Sequence, residues 1–286
     1  MMDKIRELEV FSKQVSVING PYITNAALDV KLLLAYLLKC DVDQLRNYYE
    51  DGITKSLASE FQSYFLRRQE GEPVSKIIGT KAFWNNMFKV SEDTLDPRPD
   101  SEILVEAILS ILLDQDRAYH ILDLGTGTGC LLLTLVSELQ NATGIGVDIS
   151  EKALNIAKEN ADMLALDSRV EFSQSNWFET VSGKFDLIIS NPPYIVEKDI
   201  FSLSLEVKKH DPMLALNGGK DGLDAYRVII SNLSNYLKED GLFCFEIGFD
   251  QATLVSELLK ENGFKHFRVI KDYAQMDRCI IGEAKR

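Results

Sequence analysis

The sequence predicts an α/β chain, in which a helical amino-terminal portion precedes an open parallel sheet covered by helices on both faces. Three observations carry this expectation. From Ala118 onward, short β-branched runs alternate with helical patterns, the signature of βαβ units. One strand-like run, His120-Ile121-Leu122-Asp123-Leu124, enters a glycine-rich turn, Gly125-Thr126-Gly127-Thr128-Gly129. Another, Phe185-Asp186-Leu187-Ile188-Ile189, enters Ser190-Asn191-Pro192-Pro193-Tyr194, where two prolines forbid both strand pairing and helix entry. Loops at the carboxyl ends of strands are where open α/β sheets hold ligands.

The elements follow in order. Asn25 or Thr24 can cap a helix from Ala26 to about Lys39 that is apolar almost all round and so must be largely buried. Asp41 to Tyr49 reads as a shorter helix. Another starts after Thr54, carries Leu57, Phe61, Tyr64 and Phe65, and stops at Gly71 with Pro73 beyond; Arg67 and Arg68 in its last turn read as a solvated end complementing the helix dipole. Lys81 to Trp84 and Met87 to Val90 flank Asn85-Asn86, which suits a two-residue hairpin turn. Pro97-Arg98-Pro99-Asp100-Ser101-Glu102 opens a helix whose apolar face includes Leu104, Ile108 and Ile111. Further strands are expected at Gly144 to Val147, Arg169 to Phe172, Leu242 to Ile247, Phe267 to Ile270 and Cys279 to Ile281. Helices are expected at Leu131 to Leu139, Glu151 to Asp162, Ala225 to Leu237 and Gln251 to Lys260. The resulting division is a helical domain over 1–80, a hairpin linker over 81–96 and a sheet domain over 97–286.

With 286 residues the chain has ample material for a core, and its 45% hydrophobic and 26% charged content is that of an ordinary globular protein. A net charge of −13 argues against a broad basic face for duplex nucleic acid. The amino terminus is too charged for a signal peptide, and no run approaches the 18 or so apolar residues of a membrane span. A cytoplasmic monomer is the expectation. Cys40, Cys130, Cys244 and Cys279 show no CxxC pair and read as reduced core thiols; with three scattered histidines they offer no metal site.

The glycine turn lets a ligand approach the backbone closely. A dinucleotide fingerprint would need glycine where Cys130 stands, and no Lys-Ser or Lys-Thr follows for a phosphate loop. The pattern instead suits a ligand without pyrophosphate, such as S-adenosylmethionine. Asp148, at the end of the second strand, can accept from both ribose hydroxyls or simply cap the next helix. Trp177 has two readings, an aromatic face for adenine and a core filler. Asn191 offers an amide oxygen, Pro192 a carbonyl and Tyr194 a flat aromatic face, together a grip for a planar amide or amine.

These motifs, with Arg67-Arg68-Gln69-Glu70-Gly71-Glu72-Pro73, Phe83-Trp84, Asn176-Trp177-Phe178, Gly218-Gly219-Lys220-Asp221-Gly222-Leu223 and Glu246-Ile247-Gly248, make the chain resemble the HemK/PrmC-type protein-(glutamine-N5) methyltransferases. The resemblance implies a class I S-adenosylmethionine-dependent methyltransferase domain with a Rossmann-like fold, preceded by a helical domain that helps bind peptide-chain release factors. The implied reaction methylates the glutamine of the release factor's Gly-Gly-Gln motif. Cofactor contacts would map onto Gly125, Thr126, Gly127, Thr128, Gly129, Asp148, Asn176, Trp177 and Asn191, and substrate contacts onto Asn191, Pro192, Pro193 and Tyr194. Asn176 stands where the family usually has Asp, so its carbonyl would take the adenine N–H. Catalysis would rest on Asn191, Pro192 and Tyr194: the Asn191 oxygen and the Pro192 carbonyl accept the two N–H bonds of the substrate amide, and orientation replaces a general base. The rival readings are an N6-adenine methyltransferase acting on DNA or RNA, which would be expected to carry a basic recognition region, and a non-catalytic adaptor that keeps the fold.

Overall fold

A computed structural model describes residues 4–10, 12, 25–112, 114 and 116–285. Within it the chain forms two compact units, Met1–Thr80 with Leu203–His210, and Lys81–Ser202 with Asp211–Arg286.

The smaller unit is built on α1 (Ala26–Leu38), a 3-10 turn (Val42–Tyr48), α2 (Lys55–Gln69) and the short α3 (Val74–Ile78). Local chemistry starts each helix: Asn25 Oδ1 accepts from Leu28 N at 3.2 Å, and Thr54 Oγ1 from Leu57 N at 3.1 Å. The alternative cap, Thr24, lies outside the described residues. Val30, Leu33 and Leu34 pack on Phe61, Phe65, Val74 and Ile77, but Leu28 and Tyr36 are exposed, so α1 is buried on one side rather than almost all round. A unit of this size lacks the mass to cover both faces of a helix. The second departure is Arg68, which is buried rather than solvated. Its Nε donates to Asp29 Oδ2 at 2.7 Å, its Nη1 to the Glu72 carbonyl at 3.2 Å, and Glu206 lies 3.4 Å away on the short helix Leu205–His210.

In the larger unit the hairpin strands are β1 (Thr80–Phe83) and β2 (Asn86–Lys89). The turn is therefore Trp84-Asn85, one residue earlier than expected. Tertiary contacts outweigh turn propensity here: Trp84 N donates to Glu102 Oε1 at 2.8 Å and its indole Nε1 to Glu138 Oε1 at 2.7 Å, holding Trp84 at φ +54°.

Next come α4 (Glu102–Ile111), β3 (His120–Leu124), α5 (Cys130–Glu138), β4 (Thr143–Asp148), α6 (Glu151–Met163), β5 (Val170–Gln174) and β6 (Phe185–Ser190). After β6 the chain runs through short turns, contributes Leu203–His210 to the smaller unit, and returns at Asp211 to α8 (Met213–Leu216), α7 being Leu205–His210. The sequence reading placed no elements in this stretch. It closes with α9 (Asp224–Tyr236), β7 (Leu237–Glu246), α10 (Ala252–Glu261), β8 (Phe267–Lys271) and β9 (Asp277–Glu283). Seven strands form one sheet in the order β5-β4-β3-β6-β7-β9-β8, parallel except for β9, which runs antiparallel to both neighbours. β7 begins at Leu237 rather than Leu242, because Phe185 still pairs with Leu237 before the register shifts to Leu187 opposite Leu242.

Strand periodicity divides the core. Ile121, Leu187, Ile189 and Cys244 face α4 and α5, while Leu122, Ile188, Phe243 and Phe245 face α9 and α10. Cys244 and Cys279 are buried, Cys40 and Cys130 half-buried, and all four are free thiols. Asn160 on α6 ties three segments together: its Oδ1 accepts from Lys89 N at 2.6 Å, and its Nδ2 donates to the carbonyls of Lys89 (3.1 Å) and Thr128 (2.9 Å). Asn160→Ala should therefore lower unfolding stability by about 2–4 kcal/mol, the cost of stranding backbone groups at a fully buried position; urea unfolding measures it.

Candidate functional site

Two loops meet at the carboxyl edge of the sheet because their strands are neighbours. β3 pairs with β4 on one side and β6 on the other, so the strand order reverses beside β3, and Leu124 stands opposite Ser190. The Gly125 to Gly129 turn leaves one strand where Asn191 leaves the other.

The glycine turn is pinned by its own backbone. Gly125 N and Thr126 N both donate to the Val147 carbonyl, at 2.8 and 2.9 Å, and Thr126 Oγ1 donates to the buried Asp123 Oδ2 at 2.6 Å. Gly127 sits at φ +56° with nothing within 4 Å of where a Cβ would be. The indole of Trp177, itself at φ +55°, lies over Gly125, 3.8 Å from its missing Cβ. Asp148 Oδ2 accepts from Gly127 N and Oδ1 from Ser150 N, both at 2.9 Å, leaving each oxygen a further lone pair. Burial pushes the Asp148 carboxyl up, opposed by these N–H bonds. Asn176 spends its Nδ2 on Glu179 Oε1 at 2.9 Å, so its carbonyl oxygen is the atom left to accept.

The Asn191 to Tyr194 loop is clamped from outside. Ile195 N donates to the Leu216 carbonyl at 3.0 Å and Gly218 N returns a bond to the Ile195 carbonyl at 2.8 Å. Gln251 Nε2 donates to the carbonyls of Tyr194 (3.0 Å) and Gly222 (3.2 Å). A Cβ at Gly222 would come within 2.5 Å of the Tyr194 carbonyl oxygen, so this glycine is what close backbone approach requires. Asn191 Nδ2 donates to Ser101 Oγ at 3.2 Å, and Ser101 Oγ donates to Glu246 Oε2 at 2.5 Å.

Around these loops lies a cavity of about 480 Å³. Of the residues picked from sequence, Gly125, Thr126, Gly127, Thr128, Asp148, Asn176, Trp177, Asn191 and Pro193 line it. Gly129, Pro192 and Tyr194 do not. Gly129 faces Leu133, Ala157 and Phe172, a packing position, Pro192 is buried, and the Tyr194 hydroxyl donates to Glu246 Oε1 at 3.3 Å. Arg98 and Ser101, which the sequence offers as part of the Pro97 to Glu102 motif but without a role in the site, also line the cavity, as do Leu214 and Asp224, which carry no signal there; Arg98 Nη2 pairs with Asp211 Oδ2 at 2.5 Å. Glu246, quoted from sequence only as the start of the Glu246-Ile247-Gly248 motif, is a further polar residue at this edge, bonded to Ser101 and Tyr194.

Asp123 predicts a pH dependence. Burial, with the Asp148 charge adding to it and the Thr126 bond opposing it, raises its pKa from 3.8 to about 7. Between those values the unfolded carboxyl has lost its proton while the folded one keeps it, so this group's contribution to stability is full below pH 4 and falls as pH rises to 7. Asp123→Asn removes that loss. Relative to the parent, the variant should gain stability between pH 4 and pH 8, by up to about 4 kcal/mol, in urea unfolding at each pH.

Residues 115–277 match a family described as methyltransferase domain, and residues 11–79 match the PrmC N-terminal domain. The chain is 41% identical over 261 residues to the release factor glutamine methyltransferase of Agrobacterium fabrum, covering 90% of both chains. It is 34% identical to the protein of the same name from Fusobacterium nucleatum, covering 98% of this chain and 79% of that one. Among solved structures, the 16S rRNA N2 G1207 methyltransferase of T. thermophilus superposes with a TM-score of 0.51 at 19% identity, over 72% of this chain and 50% of that one, a likeness of fold. The seven-stranded sheet is thus a class I methyltransferase fold, and the chain belongs to the release factor glutamine methyltransferases.

Proposed function

We propose that the chain transfers a methyl group from S-adenosylmethionine to the side-chain amide nitrogen of the glutamine in the Gly-Gly-Gln motif of peptide-chain release factors. The observation that carries this reading is the Asn191 carboxamide, held by its nitrogen to Ser101 at the cavity wall, next to the glycine turn.

The residues present fit the cofactor. Gly127 offers an open cradle, Asp148 has a spare lone pair on each oxygen for the ribose hydroxyls, Trp177 offers a face for the adenine, and the Asn176 oxygen accepts from its amino group. When bound, the cofactor supplies a methyl group on a positively charged sulfur, which keeps the electron pair of the broken C–S bond.

An amide nitrogen is a poor nucleophile because its lone pair is delocalised into the carbonyl. At the cavity wall Asn191 Oδ1 accepts one of its N–H bonds, and the Pro192 carbonyl, next along the loop but outside the cavity lining, would accept the other once substrate is bound, turning the lone pair toward the methyl group; among the described residues neither oxygen accepts a bond within the chain. As positive charge develops on nitrogen these bonds strengthen, so their effect falls on the transition state more than on binding. The amide then gives up one proton to solvent. Tyr194, whose hydroxyl is tied to Glu246, stiffens the loop that carries Asn191. The smaller helical unit binds the release factor. The enzyme acts as a monomer in the cytoplasm and does not contact nucleic acid; the charge of −13 supports the last of these.

Incubation with labelled S-adenosylmethionine, purified release factors and DNA, followed by mass mapping, should place the label on the Gly-Gly-Gln glutamine; label on DNA alone would support the adenine methyltransferase reading instead. Asn191→Ala should lower kcat by about 100-fold or more while cofactor affinity changes little. Asp148→Ala should do the reverse, weakening cofactor binding about tenfold or more in calorimetry, by the loss of two charge-assisted hydrogen bonds.

A further inference from the structure

A primary carboxamide has two ends of nearly equal shape and opposite hydrogen-bonding sense, so half a turn about its last bond exchanges acceptor for donor. Holding a substrate –NH2 needs the acceptor. Nothing in the strand or prolines around Asn191 selects that orientation. The selection comes from two buried side chains on other segments, Ser101 and Glu246, each 2% exposed.

Ser101 has one hydroxyl proton and two neighbours. Glu246 Oε2 lies 2.5 Å from its oxygen and Asn191 Nδ2 lies 3.2 Å from it. An ionised carboxylate only accepts, so the proton goes to Glu246, and the hydroxyl turns lone pairs alone toward Asn191. Lone pairs match the Asn191 N–H and repel its oxygen. Glu246 is fixed in turn: the Tyr194 hydroxyl donates to its Oε1 at 3.3 Å, and the Tyr226 hydroxyl donates to its backbone carbonyl at 2.7 Å.

We infer that Ser101 and Glu246 act as a positioning pair that dictates the orientation of the Asn191 carboxamide and so sets turnover; this rests on the reading of Asn191 as the acceptor of the substrate amide. Neither residue touches the reacting atoms. The pair works only while Glu246 is ionised. Protonated, the Glu246 carboxyl donates to Ser101, the serine proton turns to Asn191, and its partner there becomes the amide oxygen that substrate needs. The groups that face Glu246 are Ser101 and Asp100 before α4, Cys130 on α5, Tyr194 on the loop, Tyr226 on α9, Cys244 on its own strand and Arg278 on β9. Burial outweighs the Ser101 bond and the Arg278 charge and raises Glu246 from 4.5 to about 7. Turnover should therefore climb as pH rises through about 7.

The test uses the full chain with S-adenosylmethionine and a purified release factor, measuring kcat, KM and cofactor affinity from pH 5.5 to 9 for the parent, Ser101→Ala, Glu246→Gln and Asn191→Ala. Expected for Ser101→Ala is a fall in kcat of about 10- to 100-fold with cofactor affinity within about twofold, the pattern of lost orientation rather than lost binding. Glu246→Gln should lower kcat similarly and abolish the acid limb near pH 7, because a glutamine both donates and accepts and no longer titrates. Parent-like kcat in Ser101→Ala alongside an inactive Asn191→Ala overturns the pair alone, as does an acid limb that survives in Glu246→Gln. Parent-like kcat in Asn191→Ala overturns the reading beneath it. If Glu246→Gln does not fold, Ser101→Ala decides through its kcat and through the flattening of its own acid limb.

Discussion

The pairing of β3 with β6 is the constraint on which the site depends. It sets Leu124 opposite Ser190, and Ser190 Oγ reinforces it by donating to the Leu124 carbonyl at 2.7 Å. A parallel ladder brings both strands out at the same edge, so the glycine turn and the Asn191 loop emerge side by side. The ladder is secured at its far end too. Asp186, buried inside β6, accepts from Arg117 at 2.7 Å, Lys238 at 2.7 Å and His120 N at 2.8 Å, which is how a carboxylate survives in an otherwise apolar central strand.

Adjacent strands place the loops but do not make them rigid. Rigidity comes from polar groups that leave each loop one shape. The Val147 carbonyl and Asp148 hold the glycine turn, while Gln251 and the backbone at Gly218 and Gly222 hold the proline loop. Buried networks of this kind are costly when half satisfied and specific when complete. The Gly218 to Leu223 segment therefore has a packing meaning: Gly218 and Gly222 admit the Tyr194 backbone, and a side chain at Gly222 would also crowd Gln251.

Much of this was legible in the residues because local rules and tertiary structure agree. β3 matches its sequence reading residue for residue, since Ile121, Leu122 and Leu124 make a short apolar stretch that ends at a glycine-rich turn, a pattern with few other uses. The helix starts at Asn25 and Thr54 are local chemistry and were readable. Failures came where distant partners decide. Asn85-Asn86 has the composition of a tight turn, yet Glu102 and Glu138, far along the chain, move the turn back to Trp84. Arg68 looked like a solvated helix end because Asp29 and Glu206, its burying partners, lie 39 and 138 residues away.

The sequence by itself determined the fold class, the strand ends that carry the site, and the identity of Asp148, Trp177 and Asn191 as its candidate residues, because apolar periodicity, glycine and proline act through the local backbone. Only the tertiary structure decided which of those residues face the cavity. It turned Gly129 to packing and Tyr194 to Glu246, and it brought Ser101 from before α4 to the Asn191 carboxamide, 90 residues on. The direction of a hydrogen bond depends on partners that no window of sequence contains, and a carboxamide shows its acceptor or its donor according to what is packed against it.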